Sequence, residues 1–316
     1  MMAPSILAFV IMYIRRFILV IRCDDWLIIW VGLEVNIISF ILIIFRRIDV
    51  MKRERTIRYF FIQGLGSAIF IGIFYLGGEE TSIIIPVIIM YKMGGAPFYF
   101  WFPSVCERVS WGVCLVLITI QKVIPLILLR MVTGSLVWVL GVLRIVVGGV
   151  GSLNQMKMKR LLAFSSIHHV GLVVLSLKIL EKIWVVYIFM YIFIILCVVE
   201  RIKTYEIEAI GGIFKRRVDW VFIIRILRIA GMPPLMGFFL KWMVFYWLIR
   251  EGVVVLTIIV VLSVLIFYVY LRILYDLIVG GKGEIRYANF KGAMKNWEVI
   301  RVLGVILGPL CIYVMN

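Results

Sequence analysis

A helix needs about 17–25 apolar residues to cross the hydrocarbon core of a bilayer. This sequence supplies eleven such stretches in succession: 4–21, 26–45, 59–77, 83–102, 111–129, 135–151, 161–177, 183–200, 220–247, 253–271 and 299–315. Few folds can accommodate that pattern. In hydrocarbon the backbone must satisfy its own hydrogen bonds, so stretches of this length become helices. The expected fold class is an all-α, polytopic transmembrane helix bundle of about eleven spans. No long polar insertion interrupts it, so residues 1–316 are read as a single transmembrane domain. Composition agrees: 64% of the 316 residues are apolar, against roughly half in a soluble domain, and the mean hydropathy is +1.13. A soluble enzyme, a disordered tail and a disulfide-stapled secreted module are excluded. The cysteines, Cys23, Cys106, Cys114, Cys197 and Cys311, form no C-x-x-C pair. They are read as buried thiols rather than metal ligands. The N-terminus has no basic region before its apolar stretch, so no cleaved leader is expected.

The formal charge of +17 would suit a nucleic-acid binder. Its distribution does not. The connections 46–58, 103–110, 152–160, 201–218 and 272–297 together hold 20 Lys and Arg. The alternate connections 22–25, 78–82, 130–134, 178–182 and 248–252 hold 5. That alternation follows the positive-inside rule. It puts the N-terminus and the basic loops on one side of the membrane and the C-terminus on the other. Nucleic acid is not an expected partner.

Of the charges within the apolar spans, four stand out: Glu34, Lys92, Lys122 and Lys241. Each would cost about 2.5–3.5 kcal/mol at a helix centre on insertion scales. They are expected to face the protein interior, pair with one another or line a hydrated path. The plainer reading of each is a static ion pair, or snorkelling towards the interface. Snorkelling fits Lys241 best, whose depth depends on where its helix ends. Glu34 is short and needs a partner, for which Lys92 is the candidate. Lys92 precedes Gly94-Gly95-Ala96-Pro97, Lys241 follows Gly231-Met232-Pro233-Pro234, and Lys122 has Pro125 three residues on. Proline removes a backbone donor, and broken backbone at membrane depth occurs where it is buried in protein or lines a cavity. The echo between GGAPFYFWF and AGMPPLMGFF suggests inverted repeats with broken helices, a transporter pattern. His168 and His169 are read either as a hydrogen-bonded pair beside Ser165 and Ser166 or as proton carriers. Adjacent residues face different ways on a helix, so the pair is not expected to hold one metal. Arg15 and Arg16 interrupt the first span without an evident role. Arg144, Arg225 and Arg228 are expected near helix ends.

No Walker loop, G-x-G-x-x-G after a strand or C-x-x-C-H is present. Gly148-Gly149-Val150-Gly151 lies inside an apolar span and reads as a helix end or packing surface.

Five segments carry a resemblance: WVGLEVNIISF (30–40), RYFFIQGLGS (58–67), KMGGAPFYFWFPSV (92–105), SLNQMKMKRLLAFSSIHHVG (152–171) and AGMPPLMGFFLKW (230–242). In these motifs and their order the chain resembles the subunit-2 family of NADH dehydrogenase. These are the mitochondrially encoded, antiporter-like membrane subunits of respiratory complex I. The resemblance implies a core membrane-arm subunit of a proton-pumping NADH:ubiquinone oxidoreductase. It implies that Glu34, Lys92, Lys122, Lys241 and His169 carry protons. It implies no cofactor in this chain, with NADH, FMN, iron–sulfur clusters and ubiquinone handled by the whole complex. The implied partners are other membrane-arm and accessory subunits and lipids such as cardiolipin. The implied location is the mitochondrial inner membrane, N-terminus in the matrix and C-terminus in the intermembrane space. Tyr99 and Ser104 replace ionisable groups common in the family, which removes those positions from the path.

In the implied mechanism Glu34 moves relative to Lys92, and a proton passes through water towards Lys122 and on to Lys241. A free-standing cation/proton antiporter and a scaffold with static internal ion pairs are the alternatives. The charge count makes a topological prediction. Single cysteines placed in 152–160 and in 201–218 should react with an impermeant thiol reagent from the same membrane face. Labelling from opposite faces would mean that a span has been miscounted.

Overall fold

The computed structural model of the chain describes residues 4–22, 25–44, 50–76, 81–132, 134–179, 183–204 and 220–280. Among these residues the regular structure is helical and contains no strand. The helices are α1 (Pro4–Arg22), α2 (Trp26–Ile44), α3 (Val50–Leu76), α4 (Thr81–Lys92), α5 (Trp101–Arg108), α6 (Trp111–Ile118), α7 (Ile120–Met131), α8 (Ser135–Gly151), α9 (Met158–Ile179), α10 (Ile183–Thr204), α11 (Trp220–Ala230), α12 (Met236–Leu248) and α13 (Val253–Gly280). They form two compact units, residues 1–144 and 145–316, with the boundary inside α8.

In the first unit α1 packs on α2, α2 on α3, and α3 on α4, while α4 and α1 also meet α7. In the second, α9 is the core helix: every side chain from 161 to 177 is buried. A helix that is apolar all round belongs inside a bundle. Helices α10 and α12 pack on α9, and α11 and α13 close around them. The outer face of α13 exposes Val254, Val261, Val264, Tyr268 and Tyr275, a surface suited to lipid rather than water. Among the described residues, five helical segments are long and apolar enough to cross a membrane: 56–75, 111–131, 158–177, 183–204 and 253–276.

The glycine-rich segment at 148–151 is a packing surface, as read. A Cβ on Gly148 would lie 2.6 Å from the backbone nitrogen of His168, and one on Gly149 would lie 3.1 Å from Leu262. Cys106, Cys114 and Cys197 are buried thiols; Cys23 and Cys311 lie outside the described residues.

Three expected spans are each divided in two. The span 83–102 stops at Lys92 and resumes as α5, which runs on through most of the expected loop 103–110. The span 220–247 breaks at 231–235. The span 111–129 breaks at Thr119, and Pro125 lies inside the helix that follows. At the other two breaks prolines lie within the interruption, where they cannot continue a helix. Helices run furthest into two expected loops: α3 begins at Val50 and α13 continues to Gly280. The expected span 299–315 lies outside the described residues. Arg144 and Arg225 are within α8 and α11, not near their ends as expected. Both are buried and donate to protein acceptors. Arg225 Nη1 donates to the carbonyl of Cys197 at 2.8 Å. Arg144 Nη1 lies 3.5 Å from Met90 Sδ, and its Nη2 donates to the carbonyl of Met93 at 3.4 Å.

The end of α4 turns on one residue. Gly94 adopts φ 64°, a left-handed conformation natural to glycine. Its N–H donates to Tyr91 O at 3.1 Å, and Gly95 N–H donates to Met90 O at 2.9 Å. This crossed pair satisfies carbonyls that a helix end leaves open. A Cβ on Gly94 would also meet Phe102 Cβ at 2.5 Å. Gly94→Ala is therefore expected to cost about 1–2 kcal/mol for the left-handed backbone alone, plus the displacement of Phe102. Heat challenge of the detergent-solubilised protein should show a lower melting temperature than wild type.

Candidate functional site

In the first unit the break after α4 brings two lysines to one cavity. Lys92, the last residue of α4, is 7% exposed and Lys122 in α7 is 3% exposed. Both line a cavity with Leu33, Asn36, Tyr59, Gln63, Gln121 and Phe102. It leaves ≈ 20 Å³ for water, room for about one molecule. Gln63 Nε2 donates to Lys92 O at 2.8 Å. Lys122 Nζ lies 4.1 Å from the centroid of Phe102, a cation–π distance. Phe102 reaches that position because the chain reverses at Gly94.

Glu34, in α2, does not meet Lys92 directly. Its carboxylate accepts a hydrogen bond from Ser67 Oγ on α3. The neighbouring residue, Gly66, is where the aliphatic stem of Lys92 packs: a Cβ there would be 2.9 Å from Lys92 Cγ. One turn of α3 thus holds the acid and the base side by side without an ion pair. An ion pair does form on the exposed surface of α3, between Arg58 and Glu54 at 3.2 Å. Lys92 stays within electrostatic reach of Glu34, while the hydrogen-bond donor to Glu34 is Ser67, which the sequence did not single out.

The second unit repeats the device of a glycine-terminated helix. Gly231 has φ 85° and ends α11, with Met232 N–H donating to Leu227 O at 3.2 Å. Lys241, on α12, is 4% exposed. Its Nζ donates to the carbonyl of Ala230 at 2.8 Å. The ammonium therefore sits at the C-terminal end of α11, where the helix dipole is negative. This corrects the snorkelling reading: the side chain is held inside by an open helix end, not drawn to the interface.

His169 and His168 face different neighbours. His169 Nδ1 and the Tyr187 hydroxyl share a hydrogen bond at 2.8 Å, and the His169 ring lies 4.9 Å from that of Tyr191. His168 Nδ1 is 3.4 Å from Ile145 O, and its Nε2 is 3.3 Å from Ser263 Oγ. Ser165 and Ser166 donate to carbonyls of their own helix. Tyr187 and Tyr191 went unnoticed in the sequence, although their spacing of four puts both on one face of α10. Among the described residues no three His, Cys, Asp or Glu side chains converge as a metal site would require.

Fold and site together describe an apolar helix bundle with glycine-terminated, broken helices and lysines buried beside the breaks. That is the class of antiporter-like membrane subunits. Residues 78–266 match the family described as NADH:quinone oxidoreductase/Mrp antiporter, TM. The NADH-ubiquinone oxidoreductase chain 2 of Anopheles gambiae is 32% identical over 288 residues, covering 85% of this chain and 84% of that one. Its counterpart from Locusta migratoria is 31% identical, covering 82% and 81%. A chain of respiratory complex I from Thermus thermophilus, solved with bound aureothin, superposes with a TM-score of 0.70 at 24% identity. It covers 90% of this chain and 71% of that one. The chain belongs to the NADH-ubiquinone oxidoreductase chain 2 family.

The 2.8 Å contact makes Tyr187 a structural anchor for His169. Tyr187→Phe removes the hydroxyl and keeps the ring. The expected loss is about 0.5–1.5 kcal/mol for one buried hydrogen bond, read as a lower melting temperature. An unchanged melting temperature would show that His169 finds an equivalent partner.

Proposed function

We propose that this chain is the antiporter-like core subunit in the membrane arm of a proton-pumping NADH:ubiquinone oxidoreductase. Its whole length then serves as one translocation domain. In this reading Glu34, Lys92 and Lys122 carry protons in the first unit, and Lys241 and His169 do so in the second. The observation that carries the reading is the shared cavity. Lys92 and Lys122 line one buried space with polar neighbours and room for water. A lysine ammonium can release a proton and a neutral lysine can accept one. Water between the two lets the proton move without moving a charged side chain through hydrocarbon. Glu34 is bound to Ser67 next to the Lys92 stem, so a shift of α3 would change the field at Lys92.

Moving one charge against 100 mV needs about 2.3 kcal/mol. That energy comes from quinone reduction elsewhere in the assembly. NADH oxidation, FMN, iron–sulfur clusters and ubiquinone belong to the whole complex, and this chain contributes none of the redox centres. Its partners are the neighbouring membrane-arm and accessory subunits and lipids such as cardiolipin. It resides in the mitochondrial inner membrane, with the N-terminus in the matrix and the C-terminus in the intermembrane space.

Native electrophoresis of mildly solubilised mitochondrial membranes tests the assembly, with peptides of this chain expected in the band that stains for NADH dehydrogenase activity. Lys122→Met then tests the mechanism. It should leave assembly near normal and reduce protons pumped per NADH oxidised. Full pumping by the assembled variant would remove Lys122 from the path. A loss of assembly at unchanged pumping per complex would favour a static scaffold.

A further inference from the structure

Arg16 lies in the middle of α1 with 0% exposure. Its guanidinium stacks 3.4 Å from the ring centroid of Tyr13 and 4.7 Å from that of Phe17. Its Nη1 donates to Gln121 Oε1 at 3.0 Å. Its Nε and Nη2 have no hydrogen-bond partner. An arginine this deeply buried, with two donors left over, is costly to keep unless it does something.

Its contact with Gln121 has a chemical consequence. Arginine donates and never accepts, so the atom of Gln121 facing it must be the amide oxygen. The two ends of a glutamine amide are usually interchangeable; here the arginine decides between them. The amide nitrogen, Nε2, is consequently turned away from Arg16. It is buried and has no hydrogen-bond partner. Gln121 lines the same cavity as Lys92 and Lys122. So does Asn36, whose Oδ1 is a buried acceptor without a partner. Two residues that line the cavity therefore carry buried polar atoms without partners, a donor on Gln121 and an acceptor on Asn36, around a space that holds about one water. Pro125 adds to the polarity there, because it has no N–H to offer the carbonyl of residue 121 four positions earlier.

We propose that Gln121 and Asn36 hold a water molecule between Lys92 and Lys122, with Arg16 as the positioning residue that sets the Gln121 amide. The water accepts from Gln121 Nε2 and donates to Asn36 Oδ1. It keeps one hydrogen and one lone pair for the lysines, which is what a proton relay requires. The inference rests on the translocation reading above and adds to it the groups that fill the gap between its two lysines.

The experiment compares Gln121→Leu, Arg16→Met and Arg16→Lys with Lys122→Met in the assembled complex. Protons translocated per NADH oxidised are measured, normalised to complex in the native gel. Gln121→Leu and Arg16→Met are expected to lower the number of protons translocated per NADH oxidised, as Lys122→Met does. Arg16→Lys, which keeps a donor and the charge, is expected to recover part of the loss. A purely structural Arg16 would change assembly and leave the proton ratio per complex alone. Wild-type pumping in Gln121→Leu overturns the inference while Lys122→Met remains defective. Wild-type pumping in Lys122→Met as well overturns the translocation reading itself. If the variants do not assemble, a high-resolution structure of the wild-type complex decides. Solvent density between Gln121 and Asn36 supports the relay, and direct contact of their side chains overturns it.

Discussion

Each buried lysine here depends on a helix that stops inside the bundle. A helix end leaves backbone carbonyls without partners, and in a membrane those carbonyls cannot turn to water. At the end of α4 they are met by Gly94 and Gly95 N–H groups. At the end of α11 one of them, Ala230 O, is met by the Lys241 ammonium. The second solution makes the charge part of the backbone's own hydrogen bonding. The first leaves the charge beside the break and turns the chain so that Phe102 can face Lys122. Glycine at φ 64° and 85° is what allows both turns.

Several neutral groups surround these lysines, and the charges of Glu34 and Arg144 act on Lys92 and Lys122 beside them. Glu34 is bound by Ser67, Lys92 has Gln63 on its carbonyl, and Lys122 has an aromatic face. A tight ion pair would stabilise one protonation state and resist change. Neutral hydrogen-bonding neighbours and an aromatic ring hold the side chains in place while allowing either state. That suits a chain whose family works by passing protons. The second unit follows the same logic, with His169 anchored by the neutral hydroxyl of Tyr187.

The sequence was legible where hydrophobic periodicity and helix breakers speak directly. Apolar runs marked the helices, and Gly94-Gly95-Ala96-Pro97 and Gly231-Met232-Pro233-Pro234 marked two of the breaks. The break at Thr119 carries no such mark, because the nearby Pro125 sits inside α7. Partners were much less legible. Nothing in the order of residues distinguishes Ser67 from Lys92 as the companion of Glu34, because that depends on how α2 meets α3. Arg16 was visible as an anomaly, but its contact with Gln121 joins residues 105 positions apart. Tyr187 looked like one more aromatic in an apolar helix until α10 met α9.

By itself the sequence determined that the chain lies in a membrane, about where its helices run, and which charges are buried with them. Those properties follow from transfer free energy and local backbone chemistry, which act residue by residue. The tertiary structure alone decided which buried groups meet: Lys92 and Lys122 at one cavity, Glu34 at Ser67, Lys241 at the end of α11 and Arg16 at Gln121. Such contacts are set by the rotation and crossing of packed helices. A side chain's neighbours across a bundle change with a rotation of the helix that leaves its sequence and hydropathy untouched.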